Sequence, residues 1–436
     1  MKLNSILLLF ILNIQLLISQ EILQPQDAVA LALNKNYDIM LAKNEADIVK
    51  INNSKANAGM LPNINVTTGD VFNLNNINQK FSSGQEINKN WIPVNSFNAA
   101  LNMNWTIFDG LSMFAKKDRL NTLESIGALQ LKIQMQNTIA DVLKAYFDVV
   151  QQKQKLKALH ENLKISQERM SLSEKKFDVG YADKTAYLQA KVDYNTQKIN
   201  IFKQETLLAQ QKIILNDIIG RDNTVDFDVI DNIDVLFEPN LQNIIDTSST
   251  QNLELQVLKQ NIEVAKYLHK EIKAQKMPII NFNTSYSFTQ NNSKAGFQIF
   301  NRTYGPNLGV NAMIPIFNGG IIKKQLEASA INIASKQISL EKKKNNMQAQ
   351  IISAFKIYQY SKDVLSLNEN NIVVAKENLD ITLEKFKLNQ ANSIEIRQAQ
   401  SSYEDALFNA IAARYTAKIS EIELKKISNI LILENE

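Results

Sequence analysis

Between residues 97 and 107 apolar and polar side chains alternate, with Phe97, Ala99, Leu101, Met103, Trp105 and Ile107 on one side and Asn98, Asn102, Asn104 and Thr106 on the other. A period of two predicts a strand with one apolar and one wet face. Two more stretches read the same way: Ile280, Phe282, Tyr286 and Phe288 against Asn281, Asn283, Ser285 and Ser287, and Leu308, Val310, Ala312 and Ile314 against Asn307, Gly309 and Asn311. A weaker fourth sets Ile64, Val66 and Phe72 against Asn63 and Asn65. Directly after "IFDG" at 107 and "IFNG" at 316 the period changes to that of a helix and holds it for about seventy residues.

The two switches belong to an internal repeat. "AYFDVVQQKQKL" at 145 aligns with "AFKIYQYSKDVL" at 354, and "EKKFDVGYADKTAYLQAKVDY" at 174 with "LEKFKLNQANSIEIRQAQSSY" at 383, both at the 209-residue offset of the IFDG and IFNG segments. Pro62 and Pro278, each just before a strand, are offset by 216, so the first repeat has the longer inter-strand loop. Each copy predicts a leading helix (26–58 and 252–276), two strands, a long helix (110–178 and 319–387) and a returning helix (181–220 and 391–430). The implied organisation is a 1–20 leader, a 21–61 helix, a 62–109 hairpin, a 110–220 helix pair and a 221–250 connector. A 251–277 helix, a 278–317 hairpin, a 318–430 helix pair and a 431–436 tail follow.

Along the long helices Val142, Val149, Leu156, Leu163, Met170 and Phe177 recur at strict sevens, as do Ile351, Tyr358, Leu365, Ile372, Leu379 and Phe386. A strict heptad imposes left-handed supercoiling against neighbours. An ordinary antiparallel coiled coil fits, but so does a hollow ring of paired helices, because Ala145, Ser166, Ser173, Ala354, Ser361 and Ala375 at the other seam position are small. A helix of seventy residues rises about 105 Å, and the returning helix with the next leading helix is long enough to line it. Gly180 and Asn389, residue types that tolerate the left-handed conformation, end the two long helices and predict tight hairpin tips.

Alternating strands suit a soluble half-buried sheet as well as a membrane barrel. A length of about ten residues suits a membrane-crossing strand, and the wet faces are mostly neutral Asn, Ser and Thr. Trp105, Phe108, Tyr304 and Phe317 lie toward strand ends, as in an interfacial girdle. Four strands cannot close a barrel, and open edges are not tolerated in lipid, so a homo-oligomer would have to share one. The Asn-rich segment 73–90 reads as an external loop.

Composition changes this picture little. An apolar share of 45% with 21% charged residues describes a folded chain, and 12 Gly with 7 Pro in 436 residues favour long elements. A net charge of +4 from interspersed Lys and Glu gives nucleic-acid binding no support. The absence of cysteine excludes disulfides, thiolate metal sites and a lipid-anchored cysteine. "MKLNSILLLFILNIQLLISQE" reads as a signal peptide cleaved near Ser19 or Gln20, with an N-terminal membrane anchor as the alternative. No P-loop, dinucleotide fingerprint, His-Glu-x-x-His or nucleophile elbow occurs, and His160 and His269 are isolated. Nothing therefore points to an enzyme, a cofactor or a metal.

The order of leader, repeat, "LPN" or "MPI" before a strand, "IFDG" or "PIFNGG" after one, and "KFDVGYADKTAYLQAKVDY" at the tip resembles the TolC-like outer membrane efflux family over essentially the whole mature chain. The resemblance implies a mainly α chain with a transmembrane β part. It implies a homotrimer with twelve strands in one outer-membrane barrel and twelve helices in a periplasmic α-barrel, docked by its tips to a periplasmic adaptor and an inner-membrane transporter. It further implies a passive conduit whose periplasmic entrance is narrowed by carboxylates past the second tip. By position these are Glu395 and Gln398, the second departing from the acidic pattern. Gly180, Tyr181, Ala182, Asp183, Lys184 and Thr185, with Asn389, Gln390, Ala391, Asn392 and Ser393, are the expected adaptor contacts. The competing readings are an exported coiled-coil scaffold or adaptor without a pore, and a receptor or adhesin using the 73–90 loop.

Overall fold

A computed structural model describes residues 22–294 and 298–433, so the expected signal peptide lies outside the described residues. The principal elements are α1 (Pro25–Lys35), α2 (Tyr37–Asn52), β1 (Asn63–Lys80), β2 (Glu86–Phe108), α3 (Ser112–Asp178), α4 (Lys184–Ile218), α5 (Leu241–Gln251), α6 (Leu253–Ala274), β3 (Ile279–Ser293), β4 (Phe300–Met313), α7 (Ile321–Lys387) and α8 (Ser393–Ile427). They form two compact units, one from residues up to Leu41 with Ile133–Asn252 and Asn346 onward, the other from Ala42–Lys132 and Leu253–Asn345. Among the described residues no helix is long and apolar enough to cross a membrane.

In the second unit the strands form one antiparallel sheet in the order β1-β2-β3-β4. Its register carries the sequence alternation across all four strands. Val66, Leu101, Tyr286 and Pro306 form one row and Asn65, Asn102, Ser285 and Asn307 the next. The asparagine face is internally bonded: the Asn102 amide donates to Asn65 Oδ1 at 3.2 Å and to Thr67 Oγ1 at 3.1 Å, and the Thr106 hydroxyl to Asn281 Oδ1 at 2.9 Å. The apolar face is uncovered, with Val66 and Leu308 each 71% exposed. A contiguous apolar face of this extent is a surface made for a partner or a membrane.

The strands run 14 to 23 residues rather than ten. The segment 73–90 is not a loop: β1 and β2 stay paired out to Lys80 and Glu86, and the turn occupies only residues 81–85. Asparagine has poor strand propensity, but each added ladder bond favours continuing the pair. A bulge at Asn76 bends this arm, where Trp91 at φ +56° donates its N–H to Asn76 Oδ1 at 2.8 Å. A second irregularity at Ile107 sets Phe108 opposite Ile280. Where β2 gives way to α3, Gly110 has φ +70°, and a Cβ there would meet the Ala274 carbonyl at 2.5 Å, so only glycine fits. Below it Arg119 grips Glu271 with two bonds, at 2.6 and 3.3 Å, tying α3 to α6.

The first unit holds the main core, in which Val142, Tyr146, Val149 and Val150 of α3 meet Ala28 and Ala32 of α1, Leu215 of α4, and Phe227 and Val229 of the connector. Ile22–Leu23 pairs in parallel with Asp228–Val229, and the buried Tyr146 hydroxyl donates to the Leu23 carbonyl at 2.7 Å. Burial pushes that phenol up to about 12. The leading helix expected over 26–58 is broken by Asn36, whose Oδ1 caps Ile39 N at 3.1 Å and whose amide donates to the Ile218 carbonyl at 2.8 Å.

Candidate functional site

The helical tips lie within the first unit and are built alike. After α3, Gly180 at φ +79° lets Tyr181 N reach the Lys176 carbonyl at 2.8 Å and Gly180 N the Phe177 carbonyl at 3.0 Å. After α7, Asn389 at φ +60° lets Gln390 N reach the Lys385 carbonyl at 2.7 Å and Asn389 N the Phe386 carbonyl at 3.3 Å. This pairing satisfies the last carbonyls of each helix and reverses the chain. Val179, Tyr181, Leu388 and Ile394 stand exposed on the tips, Tyr181 by 75%.

The returning helices begin differently. Asn392 caps α8, accepting from Ile394 N and Glu395 N, while the Glu395 carboxylate accepts from the Asn392 N–H at 3.3 Å and its amide at 3.0 Å. That reciprocal box satisfies free donors of the first turn. Asp183 at the start of α4 makes no such side-chain bond. Gln398, three residues past Glu395 and also exposed, donates to Ser402 of its own helix, at 3.5 Å.

A cleft of about 750 Å³ runs between the tips and gathers Tyr181, Ala182, Asp183, Thr185, Asn389, Ala391, Asn392 and Ser393 of the expected docking set. Gly180, Lys184 and Gln390 stand outside its lining. The same cleft includes Ser173, from the small seam position of the heptad, and three residues that the heptad did not point to: Arg169, Lys176 and Arg397. Arg169 is buried and paired with Asp193, which joins α3 to α4. Lys176 is buried, donates to the Phe386 carbonyl at the end of α7 and lies 3.9 Å over the Phe386 ring. Burial pulls both cations down, with Asp193 opposing the shift at Arg169. Higher on the bundle the Gln400 amide donates to Ser166 Oγ at 2.6 Å, and Gln197 to Glu404, whose carboxyl burial pushes up.

From Asn162 to its end α3 therefore buries a polar seam. Asn162, Arg169 and Lys176 recur at sevens, as do Leu159, Ser166 and Ser173, while Leu163, Met170 and Phe177 are only half-buried. The signal was available in the sequence as a second heptad one position from the apolar one.

Of the expected girdle, Trp105 and Phe108 end β2 on the helix side, with Trp105 Nε1 donating to the Met60 carbonyl at 3.0 Å. Phe317 lies past β4 and is 88% exposed, and Tyr304 stands toward the opposite end of β4, opposite Phe288. Among the described residues no group of His, Asp or Glu could hold a metal ion.

The chain thus joins a two-faced sheet open at both edges to duplicated helical hairpins. The chain belongs to the outer membrane efflux protein family, whose model matches residues 28–221 and 244–429. It is 20% identical to the outer membrane protein TolC of Salmonella enteritidis over 361 residues, 77% of this chain and 70% of that one. Its fold matches a crystal structure of CusC with a TM-score of 0.78, at 17% identity over 93% of this chain and 92% of that one. It also matches the CmeC outer membrane channel of Campylobacter jejuni, with a TM-score of 0.77 at 14% identity over 94% and 89%. The protein is accordingly an outer membrane efflux channel component with its helices in the periplasm.

Proposed function

We propose that three copies of this chain close one barrel and one helical tunnel, forming a passive conduit that docks by its tips to a periplasmic adaptor and an inner-membrane transporter. The observation that carries this is the sheet: β1 and β4 are free edges, and lipid tolerates none. Because β1 and β4 run in opposite directions, the β4 edge of one copy can extend antiparallel onto the β1 edge of the next. Two copies would give eight strands, a bore that side chains fill, whereas three leave a lumen, which the asparagine face would line.

The helices support the same count-closing contact. Tyr360, Leu367, Val374, Ile381 and Leu388 recur at sevens along α7, each at least half exposed, and Leu188, Val192, Ile199, Phe202 and Ile213 form a comparable bare seam on α4. Uncovered heptad seams on two different helices suit a head-to-tail ring. Trp105, Phe108, Tyr304 and Phe317 would then anchor the two membrane interfaces. Glu395, repeated three times about the axis, would favour cations at the entrance, with the neutral Gln398 behind it.

Single-channel recording of the detergent-purified protein in a planar bilayer tests the reading. Discrete, cation-favouring openings from a trimer are expected. A protein that stays in solution without detergent and never conducts would instead make the coiled-coil scaffold the better account.

A further inference from the structure

We propose that the cleft between the two tips is a receptor for an acidic side chain of the docking partner, a carboxylate held by Arg397 and the open start of α4 above the buried floor of Arg169, Ser173 and Lys176. The inference rests on the docking role of the tips proposed above and adds the chemistry of what they receive.

Three cationic side chains line the cleft, against two carboxylates, Asp183 and Asp193. Asp193 is taken, by Arg169 and by the Gln189 amide at 2.8 Å. Arg397 is exposed, lines the same cleft as Arg169, and makes no hydrogen bond or ion pair with a carboxylate among the described residues. An anion in the cleft would give Arg397 that partner.

Two long helices begin at the cleft, since Thr185 and Ala186 of α4 and Ser393 and Ile394 of α8 line it. Their N-terminal N–H groups carry partial positive charge. Those of α8 are capped by Asn392, whereas Asp183 leaves the first turn of α4 without a side-chain acceptor. A separate sign comes from Ser173, which lines the cleft, is 2% exposed and has a hydroxyl without a hydrogen-bond partner among the described residues. A buried hydroxyl in that condition costs free energy until something bonds it.

Size selects among anions. A cleft of about 750 Å³ is several times larger than one carboxylate or inorganic phosphate requires and is in the range that accepts a peptide segment. The exposed Val179, Tyr181, Leu388 and Ile394 on the same tips offer the apolar surface that a polypeptide, and not a free ion, would cover.

The test uses the full detergent-solubilised chain and a rhodamine-labelled, end-blocked peptide Gly-Ser-Glu-Ser-Gly, read by anisotropy against its Gln counterpart. The Glu peptide should bind about tenfold tighter than the Gln peptide, the preference of a charge-assisted bond. Arg397→Gln should bring the two within about twofold, and Ser173→Ala, which removes a hydroxyl bonded to nothing, should weaken the Glu peptide without lowering thermal stability. Equal binding of the two peptides overturns the proposal. So does inorganic phosphate displacing the Glu peptide at equal concentration, which would mark a small-anion site. Wild-type protein that conducts in a bilayer yet shows no Glu preference leaves the channel reading standing and sinks this one, whereas failure to conduct removes the docking role on which it rests.

Discussion

The last turns of α3, from Asn162, and of α7, from Asn371, descend from the same repeat but bury opposite kinds of residue. On α7 the seam is apolar, with Leu379 1% and Phe386 3% exposed and packed on Ile396, Ala399 and Tyr403 of α8. On α3 the corresponding Met170 and Phe177 are half-buried, and the buried positions from 162 onward are Asn162, Ser166, Arg169, Ser173 and Lys176. The repeat partners of Arg169 and Lys176, which are Asn378 and Lys385, stand exposed. The difference follows from neighbours. Within this unit α3 touches α4 through Arg169 and Asp193, α8 through Asn162 and Gln400, and α7 through Lys176 and Phe386. A helix enclosed on three sides buries polar positions, of which Arg169, Lys176 and Ser166 are paired while the side chains of Asn162 and Ser173 have no hydrogen-bond partner among the described residues, whereas α7 leaves its Tyr360 to Ile381 stripe bare. Duplication copied the periodicity but not the environment.

The largest test of this contrast is Arg169→Ala beside Asn378→Ala. Removing Arg169 leaves Asp193 without its ion-pair partner and should cost about 3 kcal/mol, as when one member of a buried pair is lost. Asn378→Ala should stay within about 0.5 kcal/mol, as exposed sites do. Denaturant melts of the two variants in detergent compare them, and similar losses would mean that the enclosure of α3 has no energetic weight.

Next comes the lysine pair. Lys176→Met deletes a charge-assisted bond to the Phe386 carbonyl and should loosen the second tip by about 1–2 kcal/mol. Hydrogen exchange at residues 386–390 should speed up accordingly, while Lys385→Met leaves it unchanged. If both variants exchange alike, Lys176 does not join the tips.

Much of this was legible in the sequence. Strand alternation, the glycine after β2, and the breaks at Gly180 and Asn389 are local signals, and α3 and α7 begin two residues later than the periodicity predicts and end where it does. Three features were less readable. The 73–90 arm hides in asparagine-rich composition because its strands owe their form to pairing with each other. The Asn162, Arg169 and Lys176 row hides because a heptad search favours apolar positions, and whether Lys176 or Lys385 is buried depends on which helices surround it. Glu395 carries two compatible readings at once: "NSIE" is a capping signature, and the same carboxylate is the one proposed for an entrance ring.

Glu395 can be split into those two roles. Glu395→Gln keeps the capping box, since Gln serves at that position, and removes the charge. Glu395→Ala removes both and should weaken the start of α8 by about 1 kcal/mol. An entrance charge therefore predicts loss of cation preference in both variants with faster exchange near residue 394 only in the alanine. A purely structural cap predicts unchanged selectivity in the glutamine variant, which would withdraw Glu395 from the entrance.

The smallest effect concerns Glu404, half-buried between α8 and α4, whose repeat partner Asn195 is exposed. Burial raises the Glu404 carboxyl above its ordinary value, with the Gln197 bond opposing. A carboxyl raised in the folded state binds a proton there more readily than in the unfolded chain. Its contribution is thus least favourable at neutral pH, and stability is recovered as pH falls through the folded value toward the unfolded one. Glu404→Gln keeps an acceptor for Gln197 without the charge, so it should raise Tm at pH 7 by on the order of 1 °C and lose that advantage in mild acid. Asn195→Asp, placed at the exposed partner position, should show no such pH dependence. An advantage for Glu404→Gln that grows on acidification would reverse the sign and mean that the pair with Gln197, and not burial, governs this carboxylate.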